Sequence, residues 1–318
     1  MTRLGRPIYI AGTMRTRLLS FALTVGLAMG SSACIKAMLT NGQIASTRQG
    51  SSAMDTIGDF EMARSAVGAG LAQFEGMHRL APDNTDALFL LAKGWAGYGY
   101  AIAEDDMDAA IDANNEELAA YHKKRARMAY ERAIFYGLEL LGHSAEGFDA
   151  AKKNEETFKK WLDKNFDDKE NAADLFWVGY AWLSRVNVSK EDPALVGELF
   201  VGVAMLEKSV QLDPTYNHYA GSVALAAYHA RTAMSEMDQS QKMFEDVLAK
   251  TERKTLVVQV NYATRYACNK GDRALYEKLI NEVLTADDPD PQQRFTNTLA
   301  KRRARRALTK SRMEDCGF

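Results

Sequence analysis

Residues 70–84 read GLAQFEGMHRLAPDN, and residues 202–214 read GVAMLEKSVQLDP. Each is an apolar helical stretch stopped by a proline, Pro82 in the first and Pro214 in the second. The residues before each proline fall at the spacing of the second helix of a tetratricopeptide unit: Gly70, Phe74 and Met77 in one, Gly202, Leu206 and Ser209 in the other. Such a unit is a pair of antiparallel helices in about 34 residues, with small side chains where the helices touch. Carrying the register past Pro82 places Leu88, Leu91, Ala92 and Trp95 on the packing positions of a first helix. The matching second helix follows at Ala126, Tyr130 and Ala133. Ala92 and Ala126 stand 34 residues apart where about 12 are expected, so an insertion carries the acidic stretch EDDMDAAIDANNEE.

The pattern recurs toward the C-terminus. Residues 175–186, LFWVGYAWLSRV, supply Trp177, Tyr180 and Ala181 as a first helix opposite Gly202. Ala224 pairs in the same way with Ser240 and Phe244. In the last unit, Val260, Ala263 and Thr264 precede a turn at Gly271-Asp272, and Tyr276, Ile280 and Val283 follow it. Gln292–Lys310 reads as a polar-faced terminal helix that caps the stack. The expected fold is therefore all-α: an α-solenoid of degenerate tetratricopeptide-type helix pairs with a C-terminal capping helix. A generic helical bundle is the alternative. Composition agrees, since 6 prolines and 22 glycines leave little punctuation for an all-β chain, and 47% apolar residues allow a sizeable core. The net charge of −2 gives no general field for nucleic acid, and none is expected as a partner.

The first 33 residues read as a bacterial export signal. Arg15 and Arg17 precede an apolar stretch from Leu18 to Met29, then the small residues Gly30-Ser31-Ser32-Ala33, then Cys34. Met14 would serve as the true start, because Met1–Thr13 adds nothing a signal needs. A cysteine directly after small residues suggests lipidation at Cys34, although Ser31 stands where a lipobox usually carries an aliphatic residue. Simple cleavage and an uncleaved anchor stay open. Ile35 follows where an inner-membrane retention signal would place Asp, so the outer membrane is the default destination of the lipid anchor. Residues 34–52, rich in Ser, Gly, Thr and Gln, read as a flexible tether, and residues 53–318 as the repeat domain. Cys268 and Cys316 could bridge in an oxidising compartment, but a buried small hydrophobe and an exposed tail thiol are the expected state.

No motif points to catalysis, a metal or a cofactor. The five histidines are scattered without HExxH or Cys/His spacing. GxSxG, GxxxxGK[ST] and GxGxxG are all absent. The run from Glu104 to Asp108 lacks the glycine and final glutamate of a calcium loop and reads as a solvated acidic loop. The basic clusters Lys123–Arg127 and Lys301–Arg306 read as solvated faces, with an acidic partner or anionic membrane as the sharper alternative.

Aromatic residues offer a better lead, because they concentrate on the first helices, which line the concave face of a solenoid. Trp95, Trp177 and Tyr180, with the small residues Ala92, Ala181 and Ala224, occupy repeat-packing positions. Tyr98, Tyr100 and Trp182 fall off the packing face and are candidate groove residues, together with Tyr216 and His218.

The order of these segments resembles the T-component (TatT) family associated with tripartite ATP-independent periplasmic transporters. The carrying pieces are LAQFEGMHRLAPDN, GWAGYGYAIAED, RARMAYERAIFYGLELL, LFWVGYAWLSRVNVSKEDPAL, LEKSVQLDPTYNHYAGS, NYATRYACNKGDRALYEKLINEVL and FTNTLAKRRARRAL. Residues 145–169 have no counterpart in it. The resemblance implies a periplasmic accessory binder, not an enzyme. Its implied partners are the solute-binding P component and a small hydrophobic or organic-acid ligand, with homo-oligomers left open. A scaffold lipoprotein of envelope assembly, unconnected with transport, is the competing reading.

Overall fold

Asp and Asn side chains begin several of the helices, and prolines or a left-handed glycine end three of them. Asp59, Asn84, Asn115, Asn154 and Asp272 each accept a hydrogen bond from a backbone N–H three residues on, which satisfies one of the donors that a helix start leaves unpaired. Ala81-Pro82 and Asp213-Pro214 close two helices, and Gly271 turns the chain at φ 71°.

The computed structural model describes residues 35–231 and 236–318. Cys34 and the export segment lie outside the described residues. Helix α1 (35–50) and a 3-10 turn (Ser51–Thr56) lead to α2 (Phe60–Leu80) and α3 (Thr85–Tyr98). A π-helical segment (Gly99–Ala103) joins α3 to α4 (Glu104–Asp112), and the long α5 (Glu116–Gly142) follows. Next come α6 (Phe148–Ala151), α7 (Glu155–Asn165), α8 (Asn171–Asn187), α9 (Pro193–Gly197) and α10 (Leu199–Leu212). Then come α11 (Tyr216–His229), α12 (Met237–Lys250) and α13 (Leu256–Asn261). A second π-helical segment (Tyr262–Ala267) continues into α14 (Cys268–Lys270). The chain ends with α15 (Arg273–Thr285), α16 (Arg294–Ala307) and α17 (Lys310–Asp315). No strand occurs among the described residues, so the fold is all-α.

Packing follows chain order. The pairs α3/α5, α8/α10, α11/α12 and α13/α15 each pack together, and α5/α8, α10/α11 and α12/α13 join one pair to the next. Ala92 and Ala181 are fully buried in these contacts. Helices α8 and α10 meet backbone to backbone, where a Cβ on Gly179 would fall 2.9 Å from the Gly202 carbonyl oxygen.

The stack closes on itself. Helix α16 packs not only on α13 and α15 but also on the 3-10 turn and α2. Phe295 stacks near Phe60 with ring centroids 6.4 Å apart, and Thr298 donates to the Gly58 carbonyl at 3.0 Å. Arg302 donates to Asp105 at 2.9 Å, Arg306 also pairs with Asp105, and Arg312 reaches Asp112 at 2.7 Å. The terminal basic cluster and the acidic insertion, both read as solvated, are thus each other's partners. The acidic run is not a loop but helix α4, and Asp105 is only 1% exposed.

Three further expectations need correction. Most of the presumed tether is helix α1, whose Ile44 is buried against Met77, Ala87 and Leu90. Its Arg48 donates to Asp86 at 2.7 Å and lies 3.9 Å above the Phe89 ring. The polar composition hid a single apolar contact face, and tertiary packing overrides a weak local preference. Ala224 is only partly buried and is not the residue that Ser240 meets, and α11 begins with a left-handed turn. Ser240 instead bonds the Ala226 carbonyl at 2.8 Å. Finally, Cys268 and Cys316 form a disulfide that ties the C-terminal tail to α14.

Candidate functional site: a central apolar cavity

Ring closure encloses a cavity of about 630 Å³. The first helices of the pairs form its wall: α3 with Gly94 and Gly97, α8 with Phe176, Trp177 and Tyr180, α11 with Val223 and Ala224, and α13 with Val257 and Asn261. The 3-10 turn, α2 and α16 complete it with Met54, Asp55, Val67, Leu71, Phe74, Phe295 and Leu299. The volume and the mostly apolar lining with a few polar groups are those of a small-molecule site.

Local backbone features aim side chains into this space. At the π-helical segment, the Tyr130 ring packs on Gly99 so closely that a Cβ there would lie 2.7 Å from it. The extra residue of the π turn brings Tyr100 to the cavity wall, edge-on to Tyr180 at 5.8 Å. Behind Tyr100, Arg303 donates to its carbonyl at 2.7 Å and lies 3.9 Å above its ring. Glu104 sits deeper, accepting from the Tyr130 hydroxyl. Burial raises its carboxyl, against the opposing charge of Arg303. At the start of α11, Asn217, His218 and Tyr219 are three successive left-handed residues, with φ from 48° to 63°. Each costs on the order of 1–3 kcal/mol in a non-glycine residue and persists only where its surroundings hold it. The turn sets Asn217 and His218 at the cavity.

The structure therefore brings Tyr100 and His218 together at one cavity. It adds Trp177, Tyr180 and Ala224, which the sequence pattern assigned to repeat packing. Trp177 also packs on the core and donates to the Tyr216 hydroxyl at 2.8 Å, so Tyr216 orients a wall residue from behind. Burial pushes the Tyr216 phenol up to about 12. Tyr98 is turned away, accepting from Arg125 and packed edge-on to Trp95. Trp95 donates to Glu75 at 3.0 Å. Trp182 is not a groove residue: it is 2% exposed, with Phe148 at 5.8 Å and the Arg185 guanidinium 4.6 Å from its ring. Lys93 and Asp55 escaped the sequence reading. The signal for Lys93 was present, as the single cation in the otherwise apolar run LFLLAKGWAG.

Beside the cavity, Arg48 bridges α1 to two carboxylates, Asp86 at 2.7 Å and Asp174 at 3.7 Å. Burial lifts the Asp174 carboxyl to about 6, opposed by Arg48 and reinforced by Asp86. A raised folded-state pKa means that the contribution to stability is full below the unfolded value near 4 and is lost as pH rises through 6. Asp174→Asn should therefore stabilise the protein at pH 7.5 by about 1–3 kcal/mol. That advantage should shrink progressively toward pH 4. Thermal melts across this range check it, and an equal effect at both ends would refute the assignment.

The family described as TRAP transporter T-component matches residues 57–314, a span that contains every helix of the ring from α2 through α16. An uncharacterized protein of Treponema pallidum (strain Nichols) is 22% identical over 257 residues, covering 78% of this chain and 77% of that one. The chain belongs to the TRAP transporter T-component family.

Proposed function

We propose that the protein is a lipid-anchored periplasmic subunit of its transport system. It takes a small apolar or organic-acid ligand into the central cavity and exchanges it with the solute-binding P component. Membership of the family makes it an accessory of a TRAP transporter, with a periplasmic or membrane-associated location. The anchor is Cys34, directed to the outer membrane, and the helix pairs are degenerate tetratricopeptide units. The observation that carries the ligand part is the cavity of about 630 Å³, walled by apolar and aromatic side chains. Among the described residues no helix is long and apolar enough to cross a membrane; in this reading the lipid on Cys34 supplies the attachment.

The test is to extract the full-length protein from its own envelope in mild detergent and identify what accompanies it. The expected companions are a solute-binding protein in the protein fraction and an apolar or organic-acid molecule in the solvent extract. Recovery of envelope-assembly proteins alone, with an empty extract, would favour the scaffold reading instead.

A further inference from the structure

One charged group in the cavity wall has only weak partners among the described residues. Lys93 projects from α3 between Ala92 and Gly94, and its ammonium forms no ion pair among the described residues. Its one hydrogen bond, to the Ser51 hydroxyl, is 3.5 Å long. The Trp177 ring centre is 6.0 Å away. Burial holds the ammonium below the usual lysine value, while the nearby Asp55 carboxylate acts in the other direction. A desolvated ammonium with only weak partners calls for an anion.

The surroundings narrow the class of that anion. Among the described residues no arginine lines the cavity, so the bidentate fork that suits a phosphate is missing there. Asp55 shares the space and would repel a second negative charge. From Lys93 the wall runs along α3 past Gly97 to Tyr100, a reach of about 10 Å at the helical rise. A Cβ on Gly97 would meet no atom within 4 Å, so the glycine leaves this path open. Val67, Phe74 and Leu299 face the same space.

We infer that Lys93 is the headgroup site for an amphipathic monocarboxylate, whose apolar chain lies along α3 past Gly97 toward Tyr100. This assignment rests on the cavity being the ligand site, and it names the ligand's charge, its polarity and its direction. An apolar molecule without a carboxylate would leave the partly buried Lys93 ammonium without an ionic partner, which is the basis for discrimination.

Titration of the delipidated full-length protein, followed by intrinsic tryptophan fluorescence and calorimetry, tests it with decanoate, decanol, decyltrimethylammonium and acetate. Decanoate should bind about tenfold to a hundredfold more tightly than decanol, the range of one charge-assisted hydrogen bond. The cationic analogue and acetate should bind far more weakly. Lys93→Met should erase the preference for decanoate over decanol, and Lys93→Arg should retain most of it. Gly97→Phe, whose side chain enters open space, should keep the fold and block both decanoate and decanol. Equal affinity of the wild-type protein for decanoate and decanol overturns the Lys93 assignment but leaves the cavity as a ligand site. A preference that survives Lys93→Met does the same. Unchanged decanoate binding by Gly97→Phe, or no binding of any chain by the wild-type protein, overturns the cavity reading itself. If Lys93→Met fails to fold, the wild-type comparison and Lys93→Arg still decide the matter.

Discussion

Asp105→Asn should lower the stability of the protein by about 3 kcal/mol, the lower end of the range for breaking a buried ion pair. The carboxylate is 1% exposed and is shared by Arg302 at 2.9 Å and by Arg306. Removing its charge leaves Arg302 without its carboxylate and Arg306 with only Asp112, at 3.6 Å. The lower end applies because these arginines keep 31% and 18% of their side-chain surface exposed. Burial alone would raise the Asp105 carboxyl, but the hydrogen bonds and charge of Arg306 and Arg302 outweigh it and hold the group below its ordinary value. A depressed folded-state pKa gives stability that is present above the unfolded value near 4 and lost as pH falls through the folded one. The difference between wild type and variant should therefore be full at pH 7 and vanish in strong acid. Because the contact joins only α4 to the terminal α16, the loss should be local first. Hydrogen exchange should quicken in α4 and α16 before α8 or α10 responds. Unchanged exchange in α16 together with an unchanged melting temperature would show that closure does not depend on this clasp.

The same contact marks where the sequence stopped being legible. Helix pairs leave a periodic trace, because each small or apolar position must recur to face its partner. Pro82, Pro214 and Gly271 punctuate that trace, so Leu88, Leu91 and Ala92 could be placed in the core, where they are indeed fully buried. Closure leaves no such trace. Asp105 and Arg306 stand 201 residues apart, and each lies in a run of like charges that resembles a solvated face until the two are juxtaposed. The cavity exists only because of closure, so its wall combines residues of seven helices from both ends of the chain. Tyr100 was recognisable because it departs from the repeat stripe. Trp182 departs from it too, yet it is covered by the inserted helices α6 and α7, through Phe148 and its neighbour Trp161. That insertion is the stretch 145–169, for which the sequence offered no counterpart, so nothing could predict which face of α8 it would bury. In α11, the three left-handed residues shift the helical phase, and Ala224 moves from the helix contact to the cavity. A register carried forward from Pro214 assumes regular helix and fails at that turn.

Where the repeat does hold, it holds at backbone contact, and this gives the other large expected effect. Gly202→Ala should destabilise the protein by about 3 kcal/mol, at the upper end for overpacking, and Gly202→Val by more. An added Cβ would stand 2.8 Å from the Leu183 backbone nitrogen, 2.9 Å from the Gly179 carbonyl oxygen and 3.1 Å from the Trp182 Cβ. Two of these atoms are backbone, so no rotamer change can relieve the clash. The helices α8 and α10 would have to separate along their length. Such a separation loosens Val178, Met205 and Leu206 as well, all of which are fully buried. Propensity acts in the opposite direction, since replacing a helical glycine by alanine ordinarily gains roughly 0.5–1 kcal/mol. Gly76, inside α2 and one turn before its end, has open space around its Cβ position and isolates that term. Gly76→Ala should therefore raise the urea midpoint while Gly202→Ala lowers it, with the same denaturant slope for both. The opposite signs of two chemically identical substitutions separate steric contact from backbone entropy. A Gly202→Ala protein as stable as Gly76→Ala would mean that α8 and α10 pack at a greater distance than the backbone contact through Gly179 requires.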